Sequence, residues 1–264
     1  MIAALPMYDW PELRDATDAW WAGLARALRA AGVRDVPDRL SRGEPAGFWN
    51  DPRLLFGQTC GLPLVRHHAD RLRVLATPCY GVPGCAGPTY SSLILVRADS
   101  PFQRPEDLEG EVAAYSEPTS LSGHLALRLV FAAYARGGRF FGRALATGSH
   151  AASMTAVHEG RADVCAVDCV SFAIAAHHRP ALTSDLRHIA SSPPAPALPW
   201  VTSAIRTPDQ TDRLRAGLRA ALADPALDEA RAALFITGAE LLPEDAYAGR
   251  VASLEATAAA CVLD

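Results

Sequence analysis

Short apolar runs alternate along the chain with longer amphipathic stretches, a pattern that predicts an α/β protein. The first run, IAALPM, reads as a buried strand. Residues 11–31 then carry apolar positions at helical spacing, with Pro11 at the start and Gly32 just past the end. Proline at the entry and glycine beyond the exit is the usual punctuation of a helix. RLLFG, RLRVLAT and YSSLILVRA predict further strands, and EVAAYS another. TSLSGHLALRLVFAAYARGG reads as a helix running to the glycine pair. ADVCAVD is a short buried strand followed by the helix CVSFAIAAHH; LRHIA and WVTSAIR are strands on either side of the proline-rich connector SSPPAPALPW. From Thr207 onward the pattern is helical in three pieces, PDQTDRLRAGLRAALAD, PALDEARAALFITG and PEDAYAGRVASLEATAAACVL.

Two breaks organise these elements. ADSPFQRPEDL near residue 100 and SSPPAPALP near residue 195 bracket a central block of the chain. If the chain crosses at both, residues 1–98 plus 195–264 form one lobe and residues 99–194 a second, with hinges near 97–101 and 190–200. Two α/β lobes joined in this way leave a cleft of the kind ligands occupy.

Composition narrows the function classes. Half of the 264 residues are hydrophobic and a fifth are charged, the balance of a soluble globular protein. The net charge of −4 argues against a general nucleic-acid binder. All 25 of its lysine-or-arginine positions are arginine, which reflects coding bias more than chemistry. The N-terminus MIAALPMYDWPELRD lacks the charged region, long apolar region and small-residue cleavage site of an export signal. No stretch approaches the ~20 apolar residues of a membrane helix. The six cysteines show no CxxC pair and read as buried small hydrophobes, with a Cys79–Cys85 bridge available in an oxidising compartment. Zinc-site spacings are absent, and neither metal nor cofactor is expected.

Candidate chemistry concentrates at predicted helix starts. Thr119, Ser120 and Ser122 precede an apolar-periodic run, with Gly123 beside them. Unpaired N–H groups at a helix start, hydroxyls and a glycine make a plausible anion cradle, although one serine acting only as a cap explains the same residues. Ser149 and His150 repeat the arrangement, and Asp168 ends a strand on the edge where α/β proteins bind ligands, unless it merely caps the next helix. Gln58 and Thr59 in GQTCGLPL, and Tyr80 and Tyr90 in the Gly/Pro-rich segment 77–92, are candidates for ligand walls. His158 and the pairs His67-His68 and His177-His178 read as surface residues. P-loop, GxGxxG, GxSxG and HExxH motifs are absent, and no nucleophile is legible beside a base.

QTCGLPL, YGVPGCAGPTYSSLILVRADS, SEPTSLSGH and TGSHAASMTAVHEGRADVCAVDCVSF together resemble the phosphate/phosphite/phosphonate group of ABC-transporter substrate-binding proteins. The resemblance runs from ALPMYDWPE, with Tyr8, to about Phe172. It implies a type-2 periplasmic-binding fold, two α/β lobes that close on a small ligand, acting as a monomer with an ABC permease as its partner. Ser120, Ser122 and Gly123 match the family's S-T-S-G run that holds phosphonyl oxygens, with Leu121 where a hydroxyl residue is expected. Tyr90 and Ser91 match the tyrosine-containing strand start, His150 the Gly-x-His element, and Asp168 an acidic position able to receive the cationic part of a zwitterion. Family members are normally exported, so the resemblance implies a periplasmic location, against a cytoplasmic one if the sequence is complete.

The reading this supports is a non-enzymatic solute-binding protein for a small anionic or zwitterionic compound, with no nucleic-acid partner and no membrane insertion. The competing readings are a cytoplasmic enzyme on the same fold, of the menaquinone- or thiamine-precursor type, and a ligand-sensing module. In the enzyme, His150 and Asp168 would be acid–base groups and Cys60 or Cys169 a thiol.

Overall fold

The first helix begins where the sequence places it, but through a 3-10 turn at Pro11–Leu13 that hands over to α1 (Arg14–Ala30). Its apolar stripe buries Trp20, Trp21, Leu24 and Leu28. The computed structural model describes residues 1–243 and 245–263. These fall into two compact units, Met1–Gly81 with Pro196–Glu244 and Val82–Ala195 with Asp245–Asp264.

The first unit is built on β1 (Ile2–Ala4), β2 (Leu54–Gln58), β3 (Leu72–Tyr80), β12 (Trp200–Ser203) and β13 (Ile236–Glu240), in the order β1-β2-β12-β3-β13. β1 and β2 are parallel, whereas β12 runs antiparallel to both neighbours and β13 antiparallel to β3. Trp20 stacks on Trp200 at 6.1 Å, and Phe56 meets both Trp21 and Trp200, so aromatic area joins α1 to the sheet. Helices α2 (Pro45–Trp49), α3 (Gly61–His67), α8 (Pro208–Ala223) and α9 (Asp228–Ala233) complete the unit. α8 opens with a capping box between Thr207 and Gln210. PALDEARAALFITG is not one helix. α9 stops at Ala233, Phe235 takes a positive φ of 57°, and the β-branched Ile236 and Thr237 start β13.

The second unit holds a sheet of five strands, β6 (Ser92–Arg97), β7 (Val112–Tyr115), β8 (Arg143–Ala146), β9 (Val164–Asp168) and β10 (Leu186–Ser191), in the order β10-β6-β9-β7-β8. A small hairpin, β4 (Cys85–Ala86) with β5 (Thr89–Tyr90), precedes them, and β11 (Ala195–Pro196) marks where the chain leaves the unit. The helices are α4 (Ala126–Phe131), α5 (His150–His158), α6 (Cys169–His178), α7 (Pro180–Ser184) and α10 (Ala246–Ala258). The core joins Ile94, Val96, Leu127, Phe131, Phe140, Phe141, Val164 and Cys261.

Three placements differ from the sequence expectation. The helix expected to reach Gly137-Gly138 stops at Phe131, whose carbonyl takes the N–H groups of Tyr134 and Ala135 in a closing turn. β6, expected in the first lobe, lies between β10 and β9, paired antiparallel to both. α10, also expected there, packs in the second unit, where Arg128 donates to the carbonyls of Ala258 (3.2 Å) and Cys261 (2.7 Å). Among the described residues no helix is long and apolar enough to cross a membrane.

Candidate ligand site

In the second unit, β7 ends at Tyr115 and the chain passes through Ser116 to Ser120, the cap of a π-helical turn at Leu121–Leu125 that continues into α4. Ser120 Oγ accepts the Gly123 N–H at 2.9 Å, so the capping role of this serine is real. Gly123 is required by close approach: a Cβ there would lie 2.6 Å from Ser116 Oγ and 3.1 Å from Ser120 Oγ. The absent side chain lets the turn sit against the end of β7. The first N–H groups of such a turn have no intrahelical acceptor.

Ser149 caps α5 by accepting the Ala152 N–H, which sets His150 at the first helical position. Asp168, at the end of β9, caps α6: its Oδ1 accepts the Ser171 N–H at 2.8 Å. His150 Nε2 lies 2.9 Å from Ser122 Oγ and 3.3 Å from Asp168 Oδ2. The aspartate side chain is only 3% exposed and the histidine 16%, so this contact is shielded from water. His150 Nδ1 is buried and has no hydrogen-bond partner among the described residues. Ser122 and Asp168 therefore meet at one ring nitrogen, not at opposite ones.

The other expected residues divide between the units. Tyr90, buried on β5, pairs in register with Cys85, and Ser91 accepts the Cys169 N–H at 3.1 Å, fixing the start of α6. In the first unit Gln58 Nε2 donates to Tyr80 Oη at 3.0 Å and to the Leu198 carbonyl at 3.1 Å. Tyr8 meets Tyr80 edge-on at 5.5 Å, so Tyr8, Gln58 and Tyr80 form one buried group. Thr59 is fully buried beside them in sequence, its hydroxyl turned to the Cys60 carbonyl, and GQTCGLPL runs from β2 into α3.

Sequence reasoning misplaced His68. It is buried and packs edge-on against Trp49 at 5.5 Å, and burial holds its pKa below the usual histidine value, helped by the neighbouring His67 and Arg71 charges. His158 is half-buried, with Nδ1 3.2 Å from Asp185. Cys79 lies against Glu240 on β13, while Cys85 faces Cys169. Cys165 and Cys261 are buried, and burial pushes both thiols up, as packing cysteines should behave. Two partners of the site went unpredicted. Ser171 was findable, because it enters through its backbone N–H, the ordinary partner of an aspartate that caps a helix three residues earlier. Ser116 carries no local signal, since only folding brings it under Gly123.

The two α/β units, each on its own five-stranded sheet, have the architecture of the two-lobe periplasmic-binding fold. The description "ABC transporter, phosphonate, periplasmic substrate-binding protein" fits residues 54–247, and the chain belongs to that family. A binding-protein component of an ABC phosphonate transporter from Pseudomonas aeruginosa is 19% identical, with a TM-score of 0.78 over 97% of this chain and 86% of that one. PhnD1 from Prochlorococcus marinus, solved in complex with methylphosphonate, is 15% identical, with a TM-score of 0.76 over 97% of both chains. XAC2383 from Xanthomonas citri, solved with chloride, is 19% identical, with a TM-score of 0.72 over 98% of this chain and 96% of that one. At these identities the likeness is one of fold. No curated protein matches in sequence.

Proposed function

We propose that this chain captures a phosphonate or a similar tetrahedral phosphorus oxyanion at the turn 120–125, for delivery to an ABC permease. The observation that carries the reading is the shared His150 nitrogen. A bare Nε2 would aim its lone pair at an Asp168 oxygen 3.3 Å away, which is repulsive. A proton on Nε2 satisfies that carboxylate and is also offered to Ser122 Oγ at 2.9 Å. Ser122 then accepts, and its own hydroxyl proton is left to donate to a ligand oxygen. The N–H groups of the helix start add positive potential beside it. Asp168 thus acts through His150 as a positioning residue, with Oδ1 given to the α6 cap, and is a poor receiver for a ligand ammonium.

The same geometry supports binding without catalysis. In a hydrolytic triad the carboxylate holds the histidine nitrogen opposite the serine, so that the ring can carry a proton between them. Here both partners sit on Nε2, an arrangement unlike that relay.

Calorimetric titration with methylphosphonate, phosphite, phosphate and 2-aminoethylphosphonate tests the reading. The expected result is saturable binding of a plain oxyanion at least as tight as that of the aminoalkyl compound. A strong preference for 2-aminoethylphosphonate would assign Asp168 to the ligand instead, and the absence of heat with all four would overturn the proposal.

A further inference from the structure

Cys85 and Cys169 sit on two elements that the chain brings together from 84 positions apart, with their sulfurs 3.3 Å from each other. Cys85 opens β4 and is part-exposed; Cys169 is the first residue of α6 and is buried. The approach depends on Gly84, where a Cβ would lie 2.8 Å from the Cys169 Cβ and 3.2 Å from its Sγ. Backbone bonds hold both sides of the contact: Ser91 donates to the Gly84 carbonyl at 3.0 Å, and its own carbonyl accepts the Cys169 N–H at 3.1 Å.

We infer that Cys85 and Cys169 form a site of reversible disulfide formation that locks the β4–β5 hairpin to the start of α6. A disulfide has S–S of about 2.05 Å, so closure asks for a shift of about an ångström, within reach of side-chain rotation. The chemistry is thiol–disulfide exchange with a small-molecule disulfide or a disulfide-bearing oxidoreductase. The part-exposed Cys85 thiolate attacks one sulfur of the oxidant, forms a mixed disulfide and releases one oxidant thiol. Cys169 thiolate then attacks Cys85 Sγ, forms the internal bond and expels the second thiol. Two protein thiols are oxidised and one disulfide is reduced to two thiols, with the protons passing to those products. In the reduced protein the Cys85 hydrogen bond draws the Cys169 thiol below its usual pKa, against the opposing effects of burial and of Asp168. Once Cys85 Sγ is in the mixed disulfide that bond is gone, and the second attack is favoured by the closeness of the two sulfurs. The bond would close a loop of more than 80 residues and fix the helix whose cap is Asp168.

The test is oxidation of the folded full-length chain with oxidised glutathione, followed by thiol counting and peptide mass mapping. The expected result is a fall from six free thiols to four, with one linked peptide pair containing Cys85 and Cys169, two hydrogens lighter than its reduced parts. Cys79→Ser should leave that pair intact, and Cys85→Ser should abolish it. Oxidation should raise the thermal midpoint of the wild type by several degrees and leave Cys85→Ser unmoved. Six titratable thiols after oxidation, a linked pair involving Cys79, or only a stable glutathione adduct at Cys85 would each overturn the inference.

Discussion

Asp168 does two jobs, one for each carboxylate oxygen, and one substitution separates them. Asn caps helices about as well as Asp, so Asp168→Asn should keep the Ser171 bond and change thermal stability by no more than about 0.5 kcal/mol. On the proposed reading it removes the charge that keeps the His150 proton on Nε2, and methylphosphonate affinity should fall about tenfold, a difference of about 1.4 kcal/mol. Unchanged affinity in calorimetry would show that the His150 contact does not serve the ligand. His68 allows a separate check by pH. Its folded-state pKa lies below the unfolded value of 6.5, so it is neutral in both states well above that pH. As pH falls through 6.5 the unfolded chain takes the proton first, and stability is lost until the lowered folded value is passed. Urea midpoints measured from about pH 7.5 to 5.5 should therefore drop more steeply in the wild type than in His68→Gln. Parallel slopes would contradict the buried, neutral assignment.

At the scale of elements, the sequence was most legible where punctuation and periodicity agree. α6 runs from Cys169 to His178 as CVSFAIAAHH predicted, because its cap, its apolar content and its end are all local. The helix after Ser120 was read only in part. Its start carries a visible serine cap, but the π turn and the stop at Phe131 arise from packing in the second core. β13 was hidden inside an apparent helix because Ala-rich α9 runs directly into it through one positive-φ residue. Arg128 is the element-scale anchor that no pattern disclosed, since its two acceptors lie more than 120 residues away. Arg128→Ala should destabilise the chain by about 1–3 kcal/mol, the usual range for charged hydrogen bonds to a helix end. Thermal unfolding reads this directly, and an unshifted midpoint would mean the C-terminal helix is held by apolar contacts alone.

At the scale of the whole molecule, an α/β chain in two parts was readable from alternating elements, and the family from four ordered motifs. The membership of each unit was less readable. Proline-rich segments mark loops, whereas the units are decided by sheet order, and β6 joins the second sheet through pairing with β9, about 70 residues on. The candidate site was legible as residue types at helix starts, but its decisive feature was not. That Ser122 and Asp168 share one nitrogen of His150 is a fact of three dimensions, set by the ends of β7 and β9 and the start of α5. The central claim is that this cluster holds the ligand's oxygens. The most direct test is a crystal structure with methylphosphonate bound. The account predicts a phosphonyl oxygen about 2.7 Å from Ser122 Oγ, the length of a charge-assisted O–H···O bond, with His150 Nε2 still between Ser122 and Asp168. A ligand bound elsewhere, with Ser122 and His150 untouched, would contradict it.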